Sequence, residues 1–444
     1  MEEELQTQQP KLQPKQKNVF RNKNYTLTFL GALVSNIAAL FYSFAVSFYI
    51  LKITGNNALI QGLYLATGGI TFCIVSLFGG VIADRFNKAK IMYICDFLKG
   101  ATILGFTLLL MFVIKSTAWQ VAALFIVAVI GNIIGGIFSP ASSALLPQIV
   151  EESQFQQAES YFSILSSFQS IIGVVLAGLL YTLVPLNVLF FVVGGCYILS
   201  AISEMFIKYD SKFEKRDEKL SVKAVFGDIK DGFKYLVSIK AVLALMVCIL
   251  FINFFFSPVF NNFIPFFIET DVNGSNYFFH ETLEPEMWSS FFSVAMGIGS
   301  LVAGIVMSSI KQIKKSHHLI RYSMLGVTLV LVLLAVFYAF LEHNIIDINT
   351  ILIAVTVGSL LIGILIILIN IPSYTAMLRI IDKDMIGKAT GVSNIGSQGL
   401  IPLSLFLGGL AITYIGSLGL LIVCAGGLLV TSLFLFFVPS VREI

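Results

Sequence analysis

Apolar runs of about 20 residues, the length that crosses a bilayer as a helix, recur from residue 26 to residue 438. They predict twelve spans, at 26–51, 58–83, 91–114, 119–145, 159–184, 187–207, 239–268, 287–310, 319–341, 349–377, 390–414 and 417–438. Most connections are short. Two are long, 208–238 and 269–286, and the first divides the spans six and six. The chain therefore reads as an all-α membrane protein of two six-helix bundles, 25–207 and 239–438. A polar tail (1–24), a linker (208–238) and a short end (439–444) complete it. In the linker, Val222, Val225, Phe226, Ile229, Phe233, Leu236 and Val237 share one helical face, while Lys223, Lys230 and Lys234 share the other. That pattern predicts a helix lying on the membrane surface.

Polar positions inside the spans are unevenly placed. Asn253, Ser257 and Asn261 recur every four residues in the seventh span, on one helical face. Pro258 beside them favours a kink. The first span has Asn36, Ser43 and Ser47, and the fourth has Asn132, Ser139 and Ser143 in the same rhythm. The tenth has Asn370 and Tyr374. The fifth has Ser163, Ser166, Gln169 and Ser170, and the eleventh Asn394, Ser397 and Gln398. The sixth, ninth and twelfth are almost wholly aliphatic and aromatic. A polar face in hydrocarbon must meet water or another helix. For one residue, bonding between helices explains it. The pattern as a whole favours a central cavity, lined by Asn36, Asn132, Gln169, Asn253, Ser257, Asn261, Asn370, Tyr374, Asn394 and Gln398.

The halves also repeat. PASSALL, Pro140 to Leu146, and PSYTAML, Pro372 to Leu378, end the fourth and tenth spans. Gly80 in the second span aligns with Gly304 in the eighth, where Ser308 and Ser309 replace Asp84 and Arg85. Two related halves of parallel topology follow.

Mean hydropathy is +0.90, so the net charge of +3 is no nucleic-acid signal. Where the cations lie matters more. Of the 28 Lys and Arg, all but Lys52, Lys99 and Lys115 fall on the side of the N-terminus. The positive-inside rule makes that side cytoplasmic, with both termini inside. The N-terminal tail lacks the apolar core and small-residue cleavage site of a signal peptide and reads as disordered and uncleaved. The five Cys are scattered through apolar segments and the four His lie in loops without metal-ligand spacing. Few charges enter the spans. Asp96 and Lys99 lie one to two turns inside the third, at a spacing that allows pairing, and no acid marks the midplane. No phosphate-binding GxxxxGK[ST] loop and no HExxH or GxSxG motif is present. Nor is there a repeated filter loop or ring of charge. The reading is a secondary transporter, not an enzyme, without cofactor or metal.

Between the second and third spans, Gly80, Asp84, Arg85, Lys88 and Lys90 stand in GVIADRFNKAK. This resembles the signature loop of the major facilitator superfamily, Gly-x-x-x-Asp-Arg-x-Gly-Arg-Arg/Lys, with Asn87 for the second Gly. KIMYICDFL and FSPASSALLPQIV, with Asp96 and Pro140, resemble the macrolide-efflux and siderophore-exporter branch. The resemblance implies a gating loop built from Gly80, Asp84, Arg85, Lys88, Lys90 and Asp96. In it Asp84 engages the start of the eleventh span and a basic partner, and Gly80 permits close helix approach. Arg85, Lys88 and Lys90 are also placed to meet anionic headgroups. The Arg of the fourth span and the Gly-Pro of the fifth, carried by many proton-driven exporters, are replaced by Gly131-Asn132 and GVVLAGLL. The expectation is a monomeric, bacterial plasma-membrane exporter of an amphiphilic, macrolide-like compound, proton-coupled and in contact with membrane lipid. The alternatives are a lysolipid or siderophore transporter and a non-transporting receptor or scaffold.

Overall fold

Helix starts are set by short polar side chains. Asn22 accepts from the amides of Asn24 and Tyr25, Asn57 from Ile60 and Asn87 from Lys90, each satisfying a donor the helix leaves open. The computed structural model describes residues 18–151, 154–208, 233–235, 237–309, 316–380 and 398–437. Among them no strand occurs. The helices are α1 (Lys23–Ile53), α2 (Ala58–Arg85), α3 (Lys88–Phe112), α4 (Thr117–Ile149) and α6 (Leu186–Met205). α5 runs from Phe155–Phe168 through a π turn, Gln169–Gly173, into Val174–Leu183. α7 (Lys240–Val272), α8 (Met287–Ser309), α9 (Ser316–Glu342), α10 (Ile348–Ile380) and α11 (Ile401–Phe437) follow.

Ten helices among the described residues are long and apolar enough to cross a membrane. Twelve spans were expected, and the difference has two physical sources. In α5 the apolar part is short, Ile171–Leu183, because its first half is rich in Ser and Gln. In α11 the eleventh and twelfth expected spans form one 37-residue run made of two helices joined across a kink, about 55 Å of helix at 1.5 Å per residue. The run is interrupted at Gly416, with φ +75° and ψ 175°, a backbone that glycine alone adopts readily. Of the surface helix expected over 222–237, only 233–235 and 237 are described, and these are helical; the rest of it and the start of the eleventh span, 390–397, lie outside the described residues.

The core falls into separate apolar clusters. Two are built from residues 19–207. A third is built from residues 241–435, joined by Phe48 and Ala58. Within each group, helices touch through glycine. A Cβ on Gly100 of α3 would stand 2.9 Å from the Gly194 carbonyl of α6. On Gly136 of α4 it would stand 2.9 Å from Val75 Cβ of α2. Gly299 of α8 and Gly363 of α10 lie against the Leu360 and Met296 carbonyls.

The face where α1 begins is called proximal here, and the face where it ends distal. The two groups meet in the distal half. α2 and α11 touch at Gly62, whose Cβ would lie 2.8 Å from the Leu405 carbonyl and 2.9 Å from Gly409 Cα. α5 and α8 touch at Gly178 and Ser290, and Ser290 Oγ donates to the Val174 carbonyl at 2.9 Å. Phe44 and Phe48 of α1 pack on Tyr181 of α5. Toward the proximal face, no atom of the described residues stands within 4 Å of a Cβ added at Gly80 of α2 or Gly304 of α8. Replacing Gly409 by Val overpacks the α2–α11 contact, at a cost of about 1–3 kcal/mol. A lower thermal midpoint of the purified protein is expected, and an unchanged midpoint contradicts this contact.

Candidate functional site

Beneath the distal seal, polar side chains occupy successive turns of helices that border the seam. α1 meets α5 where Leu40 Cδ1 lies 3.5 Å from the position of a Gly173 Cβ. One turn to the proximal side on each helix stand Asn36, exposed, and Gln169, half-buried. The Gln169 amide nitrogen has no hydrogen-bond partner. It opens the π turn Gln169–Gly173, a local irregularity frequent at functional sites.

α7 contributes the second polar row. Gln61 of α2, fully buried, donates to Ser47 Oγ of α1 and to the Asn261 carbonyl of α7, each at 3.4 Å. Asn262, also fully buried, donates to the Leu405 carbonyl of α11 at 3.1 Å. Asn261, Ser257 and Asn253 then step one turn at a time toward the proximal face. Asn261 is exposed and spends its own amide on the Ser257 carbonyl at 3.0 Å. A further π turn, Val259–Phe263, sits in the same place. Gln398, exposed, lies one turn proximal to Pro402, which packs on Gly69. Asn370 is exposed on α10.

The other expected cavity residues are placed differently. Asn132 packs against Gly68 of α2 and returns its amide to the Ala128 carbonyl at 2.8 Å, so it serves the α2–α4 contact. Asn394 and the side chain of Tyr374 lie outside the described residues.

The loop residues also separate. Among the described residues no atom stands within 4 Å of a Cβ added at Gly80; the start of the eleventh span lies outside them. The side chains of Asp84 and Arg85, at the end of α2, lie outside the described residues. Lys88 is buried at the start of α3, and Lys90 is exposed. Asp96 is buried between α3 and α6, within the first group of helices rather than at the loop. The Lys99 ammonium lies 5.0 Å from the ring centre of Tyr197.

Three buried polar residues were not singled out from sequence: Gln61, Asn262 and Glu204. Gln61 follows the Asn57 cap by one turn and reads as part of a helix start. Asn262 is eclipsed by its neighbour in the four-residue rhythm. Glu204 had a usable signal, an acid within a span otherwise aliphatic, but it stands at the span's end. At the distal rim, burial pushes the Glu286 carboxyl above its ordinary range, against the opposing pull of Lys52.

The side chains of this polar row are neutral hydrogen-bonding groups. Ser290→Leu cannot fit against Gly178 and is expected to prise α5 from α8. Hydrogen exchange over residues 174–183 should accelerate, while Ser290→Ala, losing about 1 kcal/mol for one hydrogen bond, should change it little. Equal exchange in all three proteins contradicts the α5–α8 seal.

Comparison with known proteins agrees with this architecture. The chain is 24% identical over 222 residues to the uncharacterized MFS-type transporter YfiS of Bacillus subtilis (strain 168), covering 50% of this chain and 51% of that relative. It is 23% identical over 314 residues to macrolide efflux protein A of Streptococcus pyogenes, 70% and 73% of the two chains. It is 22% identical over 176 residues to the staphyloferrin A transporter of Staphylococcus aureus, 40% and 42%. The fold matches a D-xylose-proton symporter with a TM-score of 0.70 at 13% identity, over 96% and 100% of the chains. It matches the inward-open xylose transporter XylE of E. coli with 0.67, also at 13%, over 94% and 96%. The model of the Major Facilitator Superfamily covers residues 27–403. The chain belongs to that superfamily: it is a multi-pass membrane transporter of small molecules and not an enzyme.

Proposed function

We propose that this protein exports a small amphiphilic compound across the bacterial plasma membrane by alternating access, coupled to proton entry. The observation that carries the reading is the one-sided seam. Distal contacts at Gly62–Gly409 and Gly178–Ser290 hold the two groups together on one face, and toward the other no atom of the described residues stands within 4 Å of a Cβ added at Gly80 or Gly304. The basic residues of the loops make the proximal face cytoplasmic, so the neutral row of Asn36, Gln169, Asn253, Ser257 and Asn261 is offered to solutes inside the cell. Similarity to a macrolide efflux protein supports the outward direction.

In this reading the chain crosses twelve times. α5 completes a fifth crossing, and the break at Gly416 divides α11 into two, since about 55 Å of helix exceeds the roughly 30 Å hydrocarbon core. The crossings form bundles at 25–207 and 239–438, with both termini cytoplasmic and the protein a monomer. Asp84 acts as a gate latch when the proximal face closes, drawn to free N–H groups at a helix N-terminus.

Similarity to a staphyloferrin A transporter favours one second reading, export of a siderophore. Cells making the protein should extrude ethidium or a macrolide, and an uncoupler should stop it. Siderophore release without drug extrusion favours the second reading, and neither activity leaves a receptor or scaffold. Asp84→Ala should insert normally yet lose transport; full transport refutes the latch. An impermeant thiol reagent applied to whole cells should label a cysteine placed at Lys115 and not one placed at Lys90. The reverse pattern overturns the orientation.

A further inference from the structure

On the proximal side of the Gly100–Gly194 contact, three helices enclose a pair of acids. Glu204 of α6 is fully buried, and Asp96 of α3 is 3% exposed. Neither carboxyl oxygen of Glu204 has a hydrogen-bond partner, and Asp96 Oδ2 has none either. α1 makes room for them with Gly31: a Cβ there would lie 3.2 Å from Glu204 Oε1 and 3.3 Å from Ser200 Oγ. The Ser200 hydroxyl donates to the Gly31 carbonyl at 3.0 Å. Asp96 and Glu204 act on each other electrostatically, and Lys99 acts on Asp96.

The remaining groups do not neutralise the pair. α3 presents Cys95, Asp96 and Lys99, and α6 presents Tyr197 beside Glu204. α1 carries no charged residue between Lys23 and Lys52. Two carboxylates and one ammonium leave a net negative charge, held away from water; the Ser200 side chain hydrogen-bonds Asp96, while Asp96 Oδ2 and both Glu204 oxygens have no partner. Burial of such a charge is strongly unfavourable. One added proton removes the net charge and converts an orphan acceptor into a donor that the second acid can accept. A calcium-like ion would need six to eight oxygen ligands, and a neighbouring ammonium would repel it.

We propose that Asp96 and Glu204 form a proton-binding site in which two carboxyl groups share one exchangeable proton, with Lys99 as counter-ion. The site stands apart from the polar row under the seal, yet α1 joins them, since Gly31 and Asn36 lie on adjacent turns. The use of this proton in transport rests on the proton-coupled reading above; its binding does not.

The test is an infrared pH titration of the full-length protein in phosphatidylethanolamine–phosphatidylglycerol vesicles, following the C=O stretch of protonated carboxyl groups. A band that disappears as pH rises is expected in the wild type. It should be lost in Glu204→Gln and titrate at a different pH in Asp96→Asn. Glu204→Asp should retain a displaced band, which separates loss of the acid from loss of the fold. A band unchanged in Glu204→Gln overturns the site, as does a midpoint that moves with sodium concentration. In the same vesicles, ethidium movement driven by a pH gradient should be lost in Glu204→Gln. Unchanged gradient dependence in that variant, with the band gone, overturns its role in transport. Absence of driven movement in the wild type overturns the proton-coupled reading, and the infrared result still decides the site.

Discussion

Apolar side chains gain little by leaving lipid for a helix neighbour, because lipid tails are equally apolar. What holds this structure together is close backbone approach, and that approach depends on missing side chains. Gly62 against Gly409, Gly136 against Val75, Gly100 against Gly194 and Gly299 against Leu360 each place one helix backbone where a Cβ would collide. At such contacts the dispersion gain per atom is small but many atoms share it. The contacts are also intolerant of partial separation, since a gap of an ångström forfeits much of the attraction. That favours a seam that is either closed or open over one that slides. The distribution of these glycines thus determines which helices travel together and where the two groups of helices can part.

The same medium decides what polar groups do. Backbone amides are satisfied within each helix, and many side chains satisfy themselves by returning to the preceding turn. Thr67 donates to the Leu63 carbonyl, Thr102 to Leu98 and Ser143 to Ser139. A polar residue in a span is therefore not yet a site. Asn132 illustrates this: its position fits the cavity rhythm, but its amide is spent on its own helix. The informative residues are those that are buried and left without a partner, Gln169 and Glu204 among them. Their unmet hydrogen-bonding capacity costs stability in the resting structure and is available to a ligand or a proton.

Much of the architecture was legible from the sequence because span length is a one-dimensional property. The apolar runs mark α1 to α4 and α6 to α10 with modest errors at the ends. The polar rhythm of Asn253, Ser257 and Asn261 identifies one face of α7. Other features need the partner helix. Nothing in the local text separates Gly62, which touches α11, from Gly105, which touches nothing within 4 Å. Glu204 reads as the polar end of a span until α1 and α3 are placed over it. The boundary between the eleventh and twelfth expected spans coincides with Gly416, where the backbone leaves the helical region and two helices meet at a kink.

The irregular turns tie these threads together. α5 and α7 both border the seam, and both depart from the 3.6-residue rhythm where their polar residues stand, at Gln169–Gly173 and Val259–Phe263. A π turn widens the helix by one residue and turns every later side chain around the axis. Past it, α5 presents Gly178 to Ser290, and the turn in α7 brings the Asn261 carbonyl to Gln61 of α2 and the Asn262 side chain to α11. Were either helix to regain regular winding, the residues on the distal side would rotate away from their present partners. Asn261, inside the π turn of α7, would turn with them, whereas Asn253 and Ser257, before it, would keep their places. Under the export proposed above, the irregularity couples the orientation of Asn261 to closure of the distal face.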